Sequence, residues 1–130
     1  MLKTGILNPH LLSLISRVRH TNTLVICDRG FPYWPTIETV DISLVDNVPT
    51  VLQVLAALRE NFVIGKIFMA EEFLTHNGEE IKAAFARGFE GIPVAYEPHE
   101  ARFKPRVPQA IGLIRTADIT PYANIIVVSA

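Results

Sequence analysis

Apolar positions along this chain come in short blocks, and their spacing switches between helical and extended several times. Asn8-Pro9 followed by Leu11, Leu12, Leu14, Ile15 and Val18 predicts a helix with an asparagine cap, proline in its first turn and one apolar face, ending near Arg19-His20. Thr23 to Cys27 is β-branched or apolar throughout, the pattern of a strand buried on both faces. Thr39 to Leu44 predicts a second strand. Pro49 opens a helical spacing, Val51, Leu52, Val54, Leu55 and Leu58, that lasts to about Glu60. Lys66 to Ala70 and Ile92 to Tyr96 predict further strands. Between them Asn77-Gly78-Glu79-Glu80 supplies a cap and acids for a helix that Gly88 ends. Glu97 to Pro105 is a polar segment bracketed by prolines. Two last apolar runs, Ala110 to Ile114 and Ile125 to Val128, enclose the polar stretch Arg115 to Asn124. Alternating strands and helices predict an α/β layered fold with a largely parallel sheet.

Composition narrows this to one ordinary domain, residues 1–130, with no repeat or linker. Apolar residues make up 49% and the formal net charge is −1, which argues against disorder and against an electrostatic nucleic-acid binder. There is no cleavable apolar leader at Met1-Leu2-Lys3-Thr4 and no membrane-length apolar run, so a cytoplasmic protein without membrane contact is expected. Cys27, the single cysteine, lies inside an apolar strand and reads as a buried thiol.

Several chemistries drop out. No Gly-x-Gly-x-x-Gly or Gly-Lys-Ser/Thr phosphate loop occurs. His76 and Glu71-Glu72 lack a metal-ligand spacing and read as a solvated turn. Ser13, Ser16 and Ser43 lie on a helix or in a strand-like run, none in a glycine-flanked elbow.

What remains gathers at strand ends. Asp28 follows the first strand, where open α/β sheets bind ligands, although a carboxylate there also suits a turn toward Gly30. His20 follows the first helix and reads either as a partner for the helix carbonyls or as a general acid or base. Eight residues separate it from Asp28, and a helix-to-strand turn can bring both to one edge of the sheet. His99 and Tyr122-Ala123-Asn124 also lie just beyond strand-like segments and offer donors and acceptors for sugar hydroxyls. Phe31, Tyr33 and Trp34 supply flat faces for a sugar ring or a subunit contact. Arg115 and Asp118 read as structural partners of this site.

Taken together, Gly5-Ile6-Leu7-Asn8, His20-Thr21, Asp28-x-Gly30-x-Pro32, Asp41-Ile42-Ser43-Leu44, Pro49, His99-Glu100, Arg115-Thr116 and Thr120-Pro121-Tyr122-Ala123-Asn124 resemble the D-ribose pyranase / L-fucose mutarotase family, the RbsD/FucU type. The resemblance covers nearly the whole chain. It implies a single-domain three-layer α/β/α sandwich and a cofactor-free, metal-free isomerase that interconverts cyclic forms of a free monosaccharide. By position, His20 corresponds to the proton donor, while Asp28, His99, Tyr122, Ala123 and Asn124 correspond to sugar-binding residues, Ala123 through its backbone. Histidine at 99 and Tyr-Ala-Asn at 122–124 side with the ribose branch; the fucose branch tends to arginine and Tyr-Gly-Asn. A mutarotase for L-fucose or another sugar, or a non-catalytic sugar-binding or transport-associated module, are the competing readings. The resemblance also implies a ring-like homo-oligomer, expected as a decamer, with its site near the subunit boundary. Arg19 and Asn22 depart from the glycine and aspartate common in the family, and Arg29 and Tyr33-Trp34 make the loop after Asp28 unusual.

Overall fold

Asn8 and Pro9 start the first helix as their residue types predict. In the computed structural model, which describes residues 1–130, α1 spans Pro9–Ser16, and the Asn8 carboxamide oxygen accepts from the N–H groups of His10 and Leu11 at 2.9 and 3.1 Å. The helix stops before Arg19-His20 because the chain enters a tight turn. There Thr21 has φ +68°, and Asn22 Oδ1 accepts from the Arg19 N–H at 2.9 Å. Strand β1 follows at Thr23–Cys27, then β2 at Glu38–Asp41. The second strand ends short of Leu44, since the Asp41 carboxylate turns back to accept from the Ser43 N–H at 2.9 Å.

Helix α2, Val51–Arg59, begins with a reciprocal cap: Gln53 N–H donates to Thr50 Oγ1, and Thr50 N–H donates to Gln53 Oε1. Such a cap contributes about 1 kcal/mol. Strand β3, Ile64–Ala70, leads directly into α3, Glu72–His76, a single-turn helix where the sequence predicts only a turn. Helix α4 spans Glu79–Gly88 with Gly78, not Asn77, at its cap, because the Asn77 side chain is engaged elsewhere. Strand β4 is Val94–Glu97. The bracketed polar segment then folds as a π-helical turn at His99–Phe103, a short α5 at Lys104–Arg106 and a 3-10 turn at Val107–Gln109. Strands β5, Gly112–Arg115, and β6, Ile125–Ser129, close the chain.

All six strands form one sheet in the order β2-β5-β1-β6-β3-β4. Neighbours are parallel except β6, which runs antiparallel to both β1 and β3, so five strands point one way. The largely parallel sheet expected from the alternation is therefore present. Side chains alternate along β1: Leu24 and Ile26 join one core with Leu14, Leu55, Leu58 and Phe73, while Val25 and Cys27 join a second core with Phe103 and Val107. The helices α1, α2 and α4 cover one face and the 99–109 segment the other, giving three layers. Each fully buried aliphatic chain contributes roughly 1.5–3 kcal/mol. Gly112 lets α1 approach closely, because a Cβ there would lie 2.6 Å from Leu14 Cδ1.

Cys27 is fully buried, and that burial pushes its thiol up to about 12 despite the opposing pull of Arg115. At pH 8 only about one such thiol in ten thousand is ionised, and the thiolate is the reactive form. A colorimetric thiol titration at pH 8 is expected to find no reaction in the native protein and one thiol per chain after denaturation. Rapid native labelling would show that the strand opens.

Candidate active site

The direction of β6 decides what meets at the edge of the sheet. Because β6 is antiparallel, the residues before it lie beside the residues after β1, β3, β4 and β5. Asp28, His99, Tyr122 and Asn124 consequently share one open pocket of about 270 Å³, together with Phe31 and Lys104. That is a volume for a small polyol rather than a drug-sized ligand.

Asp28 is half-buried and held from several sides. Its backbone N–H donates to Asn124 Oδ1 at 2.8 Å, and its Oδ1 accepts from the Gly30 N–H at 2.9 Å. Burial raises its pKa above the ordinary aspartate value; the backbone N–H groups of Gly30 and Phe31 and the Asn124 amide pull the other way, while Asp118 adds to the rise. The turn toward Gly30 and the position at the carboxyl end of β1 are thus both present. Arg115 fixes the loop beyond it, donating to the carbonyls of Asp28 and Pro32 at 3.2 Å each. Asp118 is buried, and its two oxygens accept from the N–H groups of Thr120 and Val51 at 2.8 and 2.9 Å. Both residues have the structural roles expected from the sequence.

His99 is 9% exposed, and its ring stands in an aromatic frame of Phe31, Phe103 and Tyr122. Its Nδ1 lies 3.4 Å from Glu100 Oε1, whereas its Nε2 is buried without any hydrogen-bond partner. A buried imidazole nitrogen left unpaired costs on the order of 1–3 kcal/mol. Tyr122 has φ +57°, a conformation rare for a bulky residue and one that tends to mark ligand sites. Ala123 is fully buried, packs in the main core and does not line the pocket.

Lys104 was not singled out in the sequence. Its Nζ sits 2.6 Å from Glu100 Oε1, and this ion pair holds the Glu100 carboxyl below its usual range. The i,i+4 spacing from Glu100 was the available signal, but Pro98 and Pro105 hid the helical nature of the segment. Of the aromatic loop, Phe31 is buried and Trp34 half-buried, while Tyr33 is 72% exposed.

His20 is not in this pocket. It is exposed, and the neighbouring Thr21 N–H donates to the Ser129 carbonyl, at the opposite edge of the sheet from Asn124. All of β1 stands between His20 and Asp28, at about 3.3 Å per residue. The expectation that a helix-to-strand turn brings the two groups to one edge is therefore incorrect within a single chain. The turn precedes the strand and Asp28 follows it. A second cavity of about 230 Å³, beneath Ile6, Leu11, Ile15 and Ile42, has only Asn8 and Gln53 as polar groups. No three His, Cys, Asp or Glu side chains are grouped as metal ligands, and no helix is long and apolar enough to cross a membrane.

Comparison with known proteins gives a consistent set of likenesses. Residues 1–130 match the sequence model of the RbsD / FucU transport protein family. The chain is 42% identical to a D-ribose pyranase of Geobacillus kaustophilus over 126 residues, which is 97% of this chain and 91% of the relative. Its fold superposes with a TM-score of 0.91 and 33% identity on Bacillus subtilis RbsD complexed with D-ribose, covering 100% of this chain and 98% of that one. A fucose mutarotase from Streptococcus pneumoniae, in complex with L-fucose, shares the fold at a TM-score of 0.80 and 18% identity, over 95% of this chain and 92% of the other.

Proposed function

The chain belongs to the RbsD/FucU family, and from that premise we propose that it is a D-ribose pyranase-like isomerase, interconverting the pyranose and furanose forms, and the anomers, of a free monosaccharide. The observation that carries the reading is the pocket that Asp28, His99, Tyr122 and Asn124 share beyond the strand ends. Relatives named D-ribose pyranase, matched over nearly their full length, make ribose the first substrate to test. The 130 residues act as one sugar-isomerase domain in the cytoplasm, where a free thiol such as Cys27 stays reduced.

The chemistry needs only proton transfers. The anomeric hydroxyl loses its proton, the bond from the anomeric carbon to the ring oxygen breaks, and the ring oxygen takes up a proton, leaving an open-chain aldehyde. Attack by a different hydroxyl closes the furanose; attack by the original one on the other carbonyl face gives the other anomer. Asp28 orients hydroxyls, His99 and Asn124 hold others, Tyr122 walls the ring, and the Ala123 backbone completes the edge. His20 delivers the proton to the ring oxygen. Its distance from Asp28 along β1 means that, in this reading, it comes from a second copy of the chain. A ring-like homo-oligomer, a decamer in the form we favour, would supply such a neighbour at every pocket. The exposed Leu44, Val45 and Val48 support a covered surface of this kind.

Saturation-transfer NMR on ribose tests the function. Added protein is expected to increase pyranose-to-furanose exchange catalytically. Exchange between anomers alone, or preferential action on L-fucose, would replace the pyranase reading with a mutarotase. Saturable ribose binding without faster exchange would make the protein a binding module.

A further inference from the structure

The short helix α3 touches both walls of the proposed sugar pocket without lining it. Its first residue, Glu72, accepts the His99 backbone N–H on both carboxylate oxygens, each at 3.1 Å. The residue just after the helix, Asn77, donates its amide to the Pro121 carbonyl at 2.9 Å and to the Phe73 carbonyl at 3.0 Å. Between them, the His76 ring packs against Tyr122 with centroids 4.8 Å apart. One end of the helix therefore holds the His99 wall and the other end the Pro121–Tyr122 wall. The Glu71 N–H, bonded to the Glu97 carbonyl at 2.8 Å, ties the start of α3 to the end of β4.

We propose that Glu72 is a positioning residue for the sugar pocket, fixing His99 through its backbone N–H, with Asn77 setting the opposite wall from the same short helix. This deepens the sugar-isomerase reading and rests on it. The physical need is specific. His99 opens a helical segment whose first N–H groups lack intrahelical acceptors, so a carboxylate there supplies both the missing acceptor and a favourable charge. With Glu72 removed, that N–H must turn toward water and carries the imidazole with it. Glu72 itself does not line the pocket, so its effect passes through His99.

Ribose affinity by titration and exchange kinetics by NMR, on Glu72→Ala, Glu72→Gln and Asn77→Ala, test the proposal. Ala at 72 is expected to weaken ribose binding and raise KM about ten-fold while kcat changes far less. Gln, which keeps an acceptor oxygen at the same reach, is expected to restore most of the affinity. Asn77→Ala is expected to weaken binding through the Tyr122 wall. Asn8→Ala, which removes the α1 cap away from the pocket, serves as a control for lost stability alone. Unchanged affinity in Glu72→Ala, or a loss equalled by Asn8→Ala, overturns the role of Glu72. If Glu72→Ala does not fold, failure of Gln to bind near wild-type level overturns it instead, and wild-type affinity in Asn77→Ala overturns the role given to Asn77. Wild-type protein without exchange or ribose binding overturns the underlying function; a working wild type with indifferent Glu72 variants overturns only this inference.

Discussion

His20→Ala is expected to slow ribose ring exchange by 10²- to 10⁴-fold, roughly the range contributed by a positioned general acid, while leaving the fold and ribose binding in place. The side chain is exposed in the single chain, so truncating it removes no core packing. Its turn is held without the imidazole, by the Thr21 N–H donating to the Ser129 carbonyl and the Arg19 N–H donating to the Asn22 carboxamide oxygen. Asn22 stands where the family resemblance leads one to expect aspartate, and either side chain can accept the Arg19 N–H. The departure therefore leaves the support of the His20 turn intact. The placement of His20 across the sheet from Asp28 adds a sharper expectation. Mixed with Asp28→Asn chains and reassembled, His20→Ala chains should regain activity, since an intact His20 from one chain then faces an intact pocket in another. For random one-to-one assembly about a quarter of the sites are restored. No recovery on mixing would show that His20 does not act across a subunit boundary, and full activity of His20→Ala alone would remove it from the chemistry.

Much of the sheet was legible because its strands carry strong local signals. Thr23 to Cys27 is apolar in both phases, and both of its faces prove to be buried. Asn8-Pro9 and Thr50 with Gln53 cap their helices through local hydrogen bonds that residue type alone suggests. The misses share a cause: a tertiary partner or a short length outweighs the local pattern. Asn77 looked like a helix cap, but its amide bridges Phe73 and Pro121 instead. The helix α3 is too short for periodicity to register, and two prolines masked the helical turns from His99 onward. Strand direction is also absent from an apolar run. Ile125 to Val128 announced a buried strand, yet only its antiparallel placement between β1 and β3 brings Asn124 to Asp28. For the same reason eight residues between His20 and Asp28 looked like proximity. A strand between two groups separates them by the height of the sheet.

Asp28→Asn is expected to lower kcat/KM for ribose exchange about 10²-fold, the scale of a lost charged hydrogen bond at a reacting ligand, and at the same time to raise Tm at pH 7. The stability gain follows from the sign of the pKa shift. Burial raises the Asp28 pKa in the folded chain above its unfolded value of about 3.9. An acid shifted upward binds its proton more tightly when folded, so ionising it works against the fold. That penalty is absent below the unfolded pKa, grows as pH rises toward the folded pKa, and is complete above it. Asparagine removes the charge yet keeps an oxygen to accept the Gly30 N–H, so the turn survives. The difference in Tm between variant and wild type should therefore be largest near neutrality and shrink as pH falls toward 4, read by thermal melts across that range. A variant less stable than wild type at pH 7 would show that the hydrogen bonds from Gly30, Phe31 and Asn124 outweigh desolvation. Undiminished exchange would show that the sugar does not need this carboxylate. The expected pairing of greater stability with lost activity marks Asp28 as a charge maintained for the ligand and opposed by its own surroundings.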